Sequence, residues 1–531
     1  MTPRQQLGLV LTLFSLTLLV GSREPPWNDA RQIHEVAESL VERGSVAVLT
    51  PTTLAHGGRF YALHPLLPSL IHVPGALAAR VMVSLWPRDE WTIRAMTSHL
   101  GPALLGALCC LLFAQLCVEL GVRGRVASLA AILLGCATMV AVYARTPWSE
   151  ITQAAAFAGF FLWLVRACRA PGRRAALWLG VWAGLLVNAK AVFVLALPGA
   201  ALFLAASLAR THGRPAVLRL LGWAALGALP FALLFLWYNH ARTGSLFDTG
   251  YALPGQTGRA YDEALLTGLY GLFLSLGKSV FLYSPPLIAS AFALPHAWRT
   301  RPRAWLVALL ATAGPVVVLY AKSSFWSGDW CWGPRYLLFL VPAALLPLVF
   351  AFDDALALPA RRRLALGVGG LVLAAGLAVQ ILGIAFYWDH FIRVAQEARL
   401  RWLGTPDRRG AVAADRDGAC DPCFEDFYQH QWLPAFQPIE GHLWLLRHRS
   451  VGPRRDSWQE AEADAPWRRY TTLQLDIAKS YGRVRLDWWF YDFYGHLHRT
   501  GVGLLAVMIF GLGASASFWW RSFREPGHRA R

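Results

Sequence analysis

An all-α, polytopic membrane protein is what this sequence predicts, on three observations. Hydrophobic residues make up 56% of the 531 positions, charged residues only 15%, and long apolar runs alternate with short arginine-rich connections. A water-soluble chain of this length carries roughly 25% charged residues, so the deficit implies that most of the surface faces lipid. The net charge of +18 is not a nucleic-acid footprint. The arginines cluster between apolar runs instead of covering one long polar face, as they do on cytoplasmic loops of membrane proteins.

About 20 apolar residues cross a ~30 Å hydrocarbon layer. Such runs fall at 6–21, 98–119, 126–143, 150–167, 175–189, 191–209, 216–238, 280–296, 304–321, 336–352, 364–386 and 501–519. The first run has a weak positive flank in Arg4; a cleaved signal peptide is the alternative to an anchor there, and the charge pattern favours the anchor. The stretch 175–209 reads either as two spans or as a broken hairpin turning at Asn188, Ala189 and Lys190, an arrangement tolerated where it lines a polar cavity.

With the N-terminus in the cytoplasm, every strongly basic short connection falls on the cytoplasmic side. These are Arg123 and Arg125; Arg166, Arg169, Arg173 and Arg174; Arg210, Arg214 and Arg219; Arg299, Arg301 and Arg303; and Arg361, Arg362 and Arg363. About twelve crossings result, with both ends inside. The exterior then receives 22–97, 144–149, 239–279, 322–335 and 387–500. The chain accordingly divides into a transmembrane module, 1–386, whose first exterior loop is 22–97; a small exterior domain, 387–500; and a last span with a basic tail, 501–531. No internal repeat is evident, which weakens a transporter built from two similar halves.

The exterior loops carry the chemistry. In "PPWNDARQIHEVAESLVERG", Ile33, Val36, Ala37, Leu40 and Val41 recur at helical spacing, so the stretch predicts an amphipathic helix lying in the interface. Asp29 near its start is either an N-cap or a general base where a membrane-bound donor meets a water-side acceptor. His34 and Glu35 share the stretch, while Glu38 and Glu42 lie further on, as on a solvated face. In "GGRFYALHPLLPSLIHVPGALAARVMVSLW" prolines 65, 68 and 74 interrupt the apolar run, which predicts a second interfacial or re-entrant element. His64 there is a candidate for a phosphate or an acceptor hydroxyl.

In "YARTPWSE", Arg145 stands on the exterior side against the inside bias and needs a polar partner, either Glu150 or a phosphate. Lys190, without a neighbouring charge in sequence, is a site candidate by default; snorkelling to the exterior surface is its other use. "WYNHARTGSLFDTGY" and "LSLGKSVFLYSPP" supply His240, Arg242, Tyr251 and Lys278. In "SSFWSGDWCWGPRYLLF", Arg335 begins a helix after Gly333 and Pro334, where an arginine opposes the helix dipole unless an anion is near. A lipid phosphate is one such anion and Asp329 another. Trp326, Trp330 and Trp332 anchor the interface or stack on a sugar or isoprenoid.

Cys420 and Cys423 form a single "CDPC" pair, compatible with a disulfide or free thiols rather than a structural zinc. "DRDGACDPCFEDF" is acidic but does not reproduce a calcium loop. Within 387–500, "RRYTTLQLDIA" alternates, "GHLWLLRH" reads as a short strand and "DHFIRVAQEARLRWLG" forms an amphipathic helix. The domain is therefore mixed α/β or helical. Its "DWWFYDFYGH" either selects an acceptor or seats the domain on the membrane.

These pieces, in this order and on one side, resemble the GT-C superfamily of integral-membrane glycosyltransferases, near the bacterial protein O-mannosyltransferase-like and aminoarabinose-transferase-like proteins. The resemblance is carried by Asp29 through Gly44, "GRFYALHPLLPSLIHVPG", "YARTPWSE", "WYNHARTGSLFDTGY", "GKSVFLYSPP" and "WCWGPRY" over residues 1 to about 350, with "PIEGHLWLL" at 438–446. It implies an inverting transferase in a bacterial inner membrane, its site facing the periplasm. A polyprenyl-phosphate sugar would be the donor, and a periplasmic glycan, lipid or protein the acceptor. The family aspartate falls on Asp29; the adjacent acidic pair common in the family is absent, since Asn28 precedes it and Ala30 follows. Candidate phosphate ligands are Arg335, Lys190, Arg145, Lys278 and Arg242. Candidate acceptor or sugar contacts are His64, Glu35, His240, Tyr251 and Trp330. No clear metal cluster is present in the sequence; relatives that use a lipid monophosphate often manage without a catalytic metal, and a divalent cation stays open because some relatives use one. The rivals are a flippase of lipid-linked saccharides and a noncatalytic scaffold; release of sugar from a polyprenyl-phosphate donor separates the enzyme from both.

Overall fold

The computed structural model describes residues 1–23, 26, 28–251, 261–328, 331–387, 437–448, 486–490 and 498–523. Helix α1 (Pro3–Leu19) opens on a capping box between Thr2 and Gln5. Helix α2 (Asn28–Arg43) is amphipathic as expected, with Ala30, Ile33, Val36 and Ala37 fully buried. The all-α expectation needs one amendment, a hairpin of β1 (Leu54–His56) and β2 (Arg59–Tyr61) pairing Leu54 with Tyr61. Its turn uses Gly57 and Gly58 at φ +57° and +74°, values that glycine adopts without penalty and tight hairpin turns demand.

Next come α3 (Leu66–Leu85), a 3₁₀ turn, α4 (Glu90–Ser98), α5 (Leu100–Glu119), α6 (Gly124–Ala137), α7 (Val140–Tyr143), α8 (Ser149–Arg169) and α9 (Arg173–Ala189). After a 3₁₀ segment, Ala191–Leu195, α10 (Ala196–Thr243) runs for 48 residues. It is two legs rather than one rod, because Gly213 breaks it at φ +76° and ψ 158°. Then follow α11 (Leu265–Leu274), α12 (Val280–Tyr283), α13 (Pro286–Thr300) and α14 (Ala304–Lys322). The chain returns through a 3₁₀ segment, Arg335–Leu340, into α15 (Val341–Ala344), α16 (Leu346–Ala357) and α17 (Pro359–Ala385), and ends with α18 (Pro438–His448) and α19 (His498–Arg521). "GHLWLLRH", expected as a strand, lies in α18; a short apolar run does not distinguish strand from buried helix by periodicity. Cys420, Cys423 and the other expectations for 388–436 and 449–485 lie outside the described residues.

Each of the twelve expected spans coincides with helix. Among the described residues, eight segments are long and apolar enough to cross a membrane by themselves, and Leu66–Leu85, expected at the interface, is one of them. Chain parity argues against its crossing. Asp29 and Arg335 touch, so an even number of crossings separates them; the eight spans from 98–119 to 304–321 satisfy this, and a ninth would place the two residues on opposite faces.

The two ends of the bundle differ in chemistry. At one, the basic connections meet carboxylates: Arg123 Nε donates to Asp353 at 2.7 Å, Arg301 to Asp354 at 2.6 Å and Arg166 to Glu119 at 3.2 Å. At the other, α2, the hairpin and the turns before α8, after α9 and before α15 converge. Aromatic edges hold this convergence together, since Phe339 meets both Phe157 of α8 and Phe193 at 5.0 Å between ring centroids.

Candidate active site

Helix α2 carries four acids, Asp29, Glu35, Glu38 and Glu42, and the last three are tied to structural partners. Glu35 accepts from the backbone N–H groups of Leu49 and Thr50, each at 2.8 Å. Glu38 and Glu42 take Arg94 at 2.6 and 3.0 Å. Asp29, in the first turn, faces the opposite way into the convergence. Its Oδ2 accepts from Arg335 Nη1 at 2.9 Å and its Oδ1 lies 3.5 Å from His64 Nε2. Asp29 is therefore a first-turn acid rather than the N-cap, and its side chain keeps 36% of its surface open.

Arg335 is the opposite case, only 8% exposed. Its guanidinium packs 4.7 Å over the Trp148 ring and 5.2 Å from the Tyr336 ring. Its Nε, 3.8 Å from the buried carboxylate of Glu150, is buried without a hydrogen-bond partner. One edge of the fork is thus engaged by Asp29, while the Nε on the same planar group faces Glu150 without a hydrogen bond among the described residues. Asp329 and Trp330 lie outside the described residues.

Lys190 completes the cluster. The turn between α9 and the 3₁₀ segment places its Nζ 4.4 Å over Tyr336 and 5.4 Å from Tyr320, and those two rings stack at 4.6 Å. Burial, only partly offset by Glu150, pulls the Lys190 ammonium down to about 8. For Asp29, burial pushes towards protonation, but His64 and Arg335 outweigh it and hold the carboxyl well below the usual carboxylate range. Tyr251, 45% exposed, borders the same space, near enough to Asp29, Glu150 and Arg335 to interact with their charges. Two cations and two carboxylates, Arg335 and Lys190 with Asp29 and Glu150, form a balanced cluster in which a ligand phosphate and Asp29 would compete for the same guanidinium.

Five residues expected in the site have other partners. Arg145 is buried and donates to the carbonyls of Val20, Ile384 and Asp487 at 2.5, 3.2 and 2.7 Å and to the Asp487 carboxylate at 3.3 Å. It is a structural clasp, with its donors directed at protein oxygens. Arg242 gathers the carbonyls of Ala62, Leu63 and His64 at 2.9, 2.9 and 3.3 Å, so it seats His64 instead of meeting a phosphate. Lys278 is fully buried and donates to the carbonyl of Cys331 at 2.7 Å. His240 turns to the Gly244 carbonyl at 3.1 Å on the surface. Glu35 is the backbone cap described above.

Conversely, Glu150, Trp148, Tyr320 and Tyr336 line the cluster without having been assigned to it. Tyr336 directly follows Arg335, so a signal existed there; Tyr320 is brought in from α14 by packing alone. Among the described residues no group of three or more His, Cys, Asp and Glu side chains is arranged to hold a metal ion.

No protein-family model matches the chain, and no curated protein matches it. Among solved structures, the chain is similar to ArnT from Cupriavidus metallidurans bound to undecaprenyl phosphate. The identity is 16% and the TM-score 0.48, over 84% of this chain and 80% of that one. It is also similar to the archaeal oligosaccharyltransferase AglB from Archaeoglobus fulgidus in complex with an inhibitory peptide and a dolichol-phosphate. There the identity is 12% and the TM-score 0.43, over 81% of this chain and 63% of that one.

Proposed function

We propose that this chain is an inverting glycosyltransferase that moves a sugar from a polyprenyl-phosphate donor to an acceptor hydroxyl at the outer face of a bacterial inner membrane. The acceptor would be a periplasmic glycan, lipid or protein. The observation that carries the proposal is the 2.9 Å contact between Asp29, whose side chain is 36% exposed, and the buried guanidinium of Arg335. The motif resemblance supplies the reaction class, and the arginine-rich connections gathered at the other end of the bundle support the orientation.

The Asp29–Arg335 contact supports one order of steps. A carboxylate held far below its ordinary pKa is a weak base. When donor phosphate draws the Arg335 charge onto itself, it lifts the Arg335 share of what holds Asp29 down, leaving the His64 share, and raises the proton affinity of Asp29 as an acceptor approaches. Asp29 then takes the proton of the acceptor hydroxyl, whose oxygen attacks the anomeric carbon from the face opposite the phosphate. The bond from that carbon to the phosphate oxygen breaks, and its electron pair leaves with the phosphate. Arg335 and Lys190 stabilise the growing negative charge on the phosphate. Glu150 holds the Arg335 side chain from behind.

The test is a panel of polyprenyl-phosphate sugars offered to purified protein with candidate acceptors, read by mass spectrometry. Transfer with inversion at the anomeric carbon, lost in Asp29→Asn, is the expected result. Retention of configuration, or transfer undiminished in that variant, would refute the assignment.

A further inference from the structure

Two short pieces from the 387–500 region reach the segments that carry Asp29 and Arg335. The first is residues 486–490. Asp487, 4% exposed, accepts from Ser22 Oγ at 2.6 Å and from the Arg23 backbone N–H at 2.9 Å, and Arg145 binds its carbonyl and carboxylate. The Nε1 groups of Trp488 and Trp489 both donate to the Leu19 carbonyl, at 2.8 and 3.0 Å, and the Trp489 N–H donates to Gly21 at 3.2 Å. Residues 19–23, from which the chain enters α2 and Asp29, are thereby held on several sides.

The second piece is α18. Its His442 is fully buried, shares its Nδ1 proton with the Leu382 carbonyl at 2.7 Å and stacks on Trp332 at 5.0 Å. Trp332 stands three positions before Arg335; it meets Tyr283 edge-on at 5.1 Å, and its carbonyl accepts from the Tyr143 hydroxyl at 3.0 Å. One region of the chain therefore grips both halves of the site, through a carboxylate on the Asp29 side and an imidazole on the Arg335 side.

We infer that Asp487 and His442 are positioning residues, which set the register of Asp29 and of Arg335 separately from the 387–500 region. The role rests on the reading of Asp29 and Arg335 as the reacting pair. Neither residue touches that pair, so each acts through the backbone it holds. Misplacement of about 1 Å costs about 100-fold in rate when reacting groups must align.

The experiment compares full-length Asp487→Asn, His442→Leu and His442→Phe with the parent by hydrogen–deuterium exchange, undecaprenyl-phosphate affinity and turnover. Asp487→Asn is expected to speed exchange in 28–43 but not in 331–340, and to cut turnover about 10- to 100-fold while lipid-phosphate affinity holds. His442→Leu is expected to do the reverse, speeding exchange in 331–340 and weakening the lipid phosphate, with His442→Phe restoring much of both because it keeps the stack on Trp332. Should Asp487→Asn fail to fold, Ser22→Ala removes one hydrogen bond to the same carboxylate and is expected to show the same pattern more weakly. Exchange that is unchanged, or raised uniformly along the chain, overturns the inference. So do unaltered turnover and affinity in these variants when Asp29→Asn and Arg335→Lys are impaired. If those last two also retain full transfer, the transferase reading itself fails, and the two failures are told apart.

Discussion

Asp29 and Arg335 lie 306 positions apart in the chain and 2.9 Å apart in space. The contact joins the stretch after α1 to the segment that leads into α15, and in the proposed reaction a bound phosphate would compete with Asp29 for the Arg335 guanidinium. Most of the chemistry expected of this protein can be tested on that pair and its immediate neighbours.

Replacing Asp29 with asparagine should lower sugar transfer by about 10²- to 10⁴-fold, the usual contribution of a positioned base. Undecaprenyl-phosphate affinity should hold or tighten, since the competing carboxylate charge is gone. Turnover and equilibrium binding measured on the same preparation check both.

Arg335→Lys keeps the charge and loses the planar fork. Hydrogen bonds to charged groups contribute about 1.5–3 kcal/mol each, so lipid-phosphate affinity should fall about tenfold or more. Calorimetry on the detergent-solubilised protein reads the change; near-parental affinity would mean that the guanidinium is not the phosphate ligand.

The Lys190 ammonium, brought down to about 8 by burial, sets a pH window. Below that value the cation is present and assists the phosphate; as pH rises through it the charge is lost, so donor affinity should weaken above about pH 8. Bound phosphate favours the protonated form, so binding near that pH should take up protons. Lys190→Arg stays charged throughout and should flatten the profile. A parental affinity that does not change from pH 7 to 9.5 would count against a role for this lysine.

Arg145→Ala should act on stability instead of on the donor. It leaves the Asp487 carboxylate buried without its cation, a change that costs about 3–5 kcal/mol when one partner of a buried pair is removed. A lower melting temperature with unchanged lipid-phosphate affinity is expected. The opposite pattern would restore the phosphate role that its sequence context suggested.

Orientation can be read in intact cells. With Cys420 and Cys423 replaced by serine, a membrane-impermeant thiol reagent should label Ala55→Cys, exposed on the hairpin, and should not label Arg361→Cys, exposed at the opposite end. The reverse labelling would invert the topology.

The helical plan was legible because its signals are local: the length of each apolar run and the side on which arginines fall. Asp29 and Arg335, which the fold brings together, stood out for a related reason, an acid just past the first span and an arginine just past a Gly-Pro turn. The five residues with other partners were not, and Arg145 shows why. Its four acceptors come from positions 20, 384 and 487, so nothing within its own loop distinguishes it from Arg335. Glu150 shows the converse. Five positions from Arg145, it was assigned to that arginine by proximity in the chain, whereas the fold turns it towards Arg335. Proximity in sequence ranks ion-pair partners poorly where helices bring distant loops together.

Lys190 rests on two stacked tyrosine faces, whereas Arg145 is fastened by directional bonds. Attraction to a ring face falls off gently with sideways movement and contributes only about 0.5–2 kcal/mol, so this ammonium can slide with little loss. A departing phosphate recedes from the sugar as their bond lengthens. In the proposed transfer, a cation free to glide after it would keep its charge over the moving phosphorus, while Arg335, held by its bond to Asp29, would mark where the journey began.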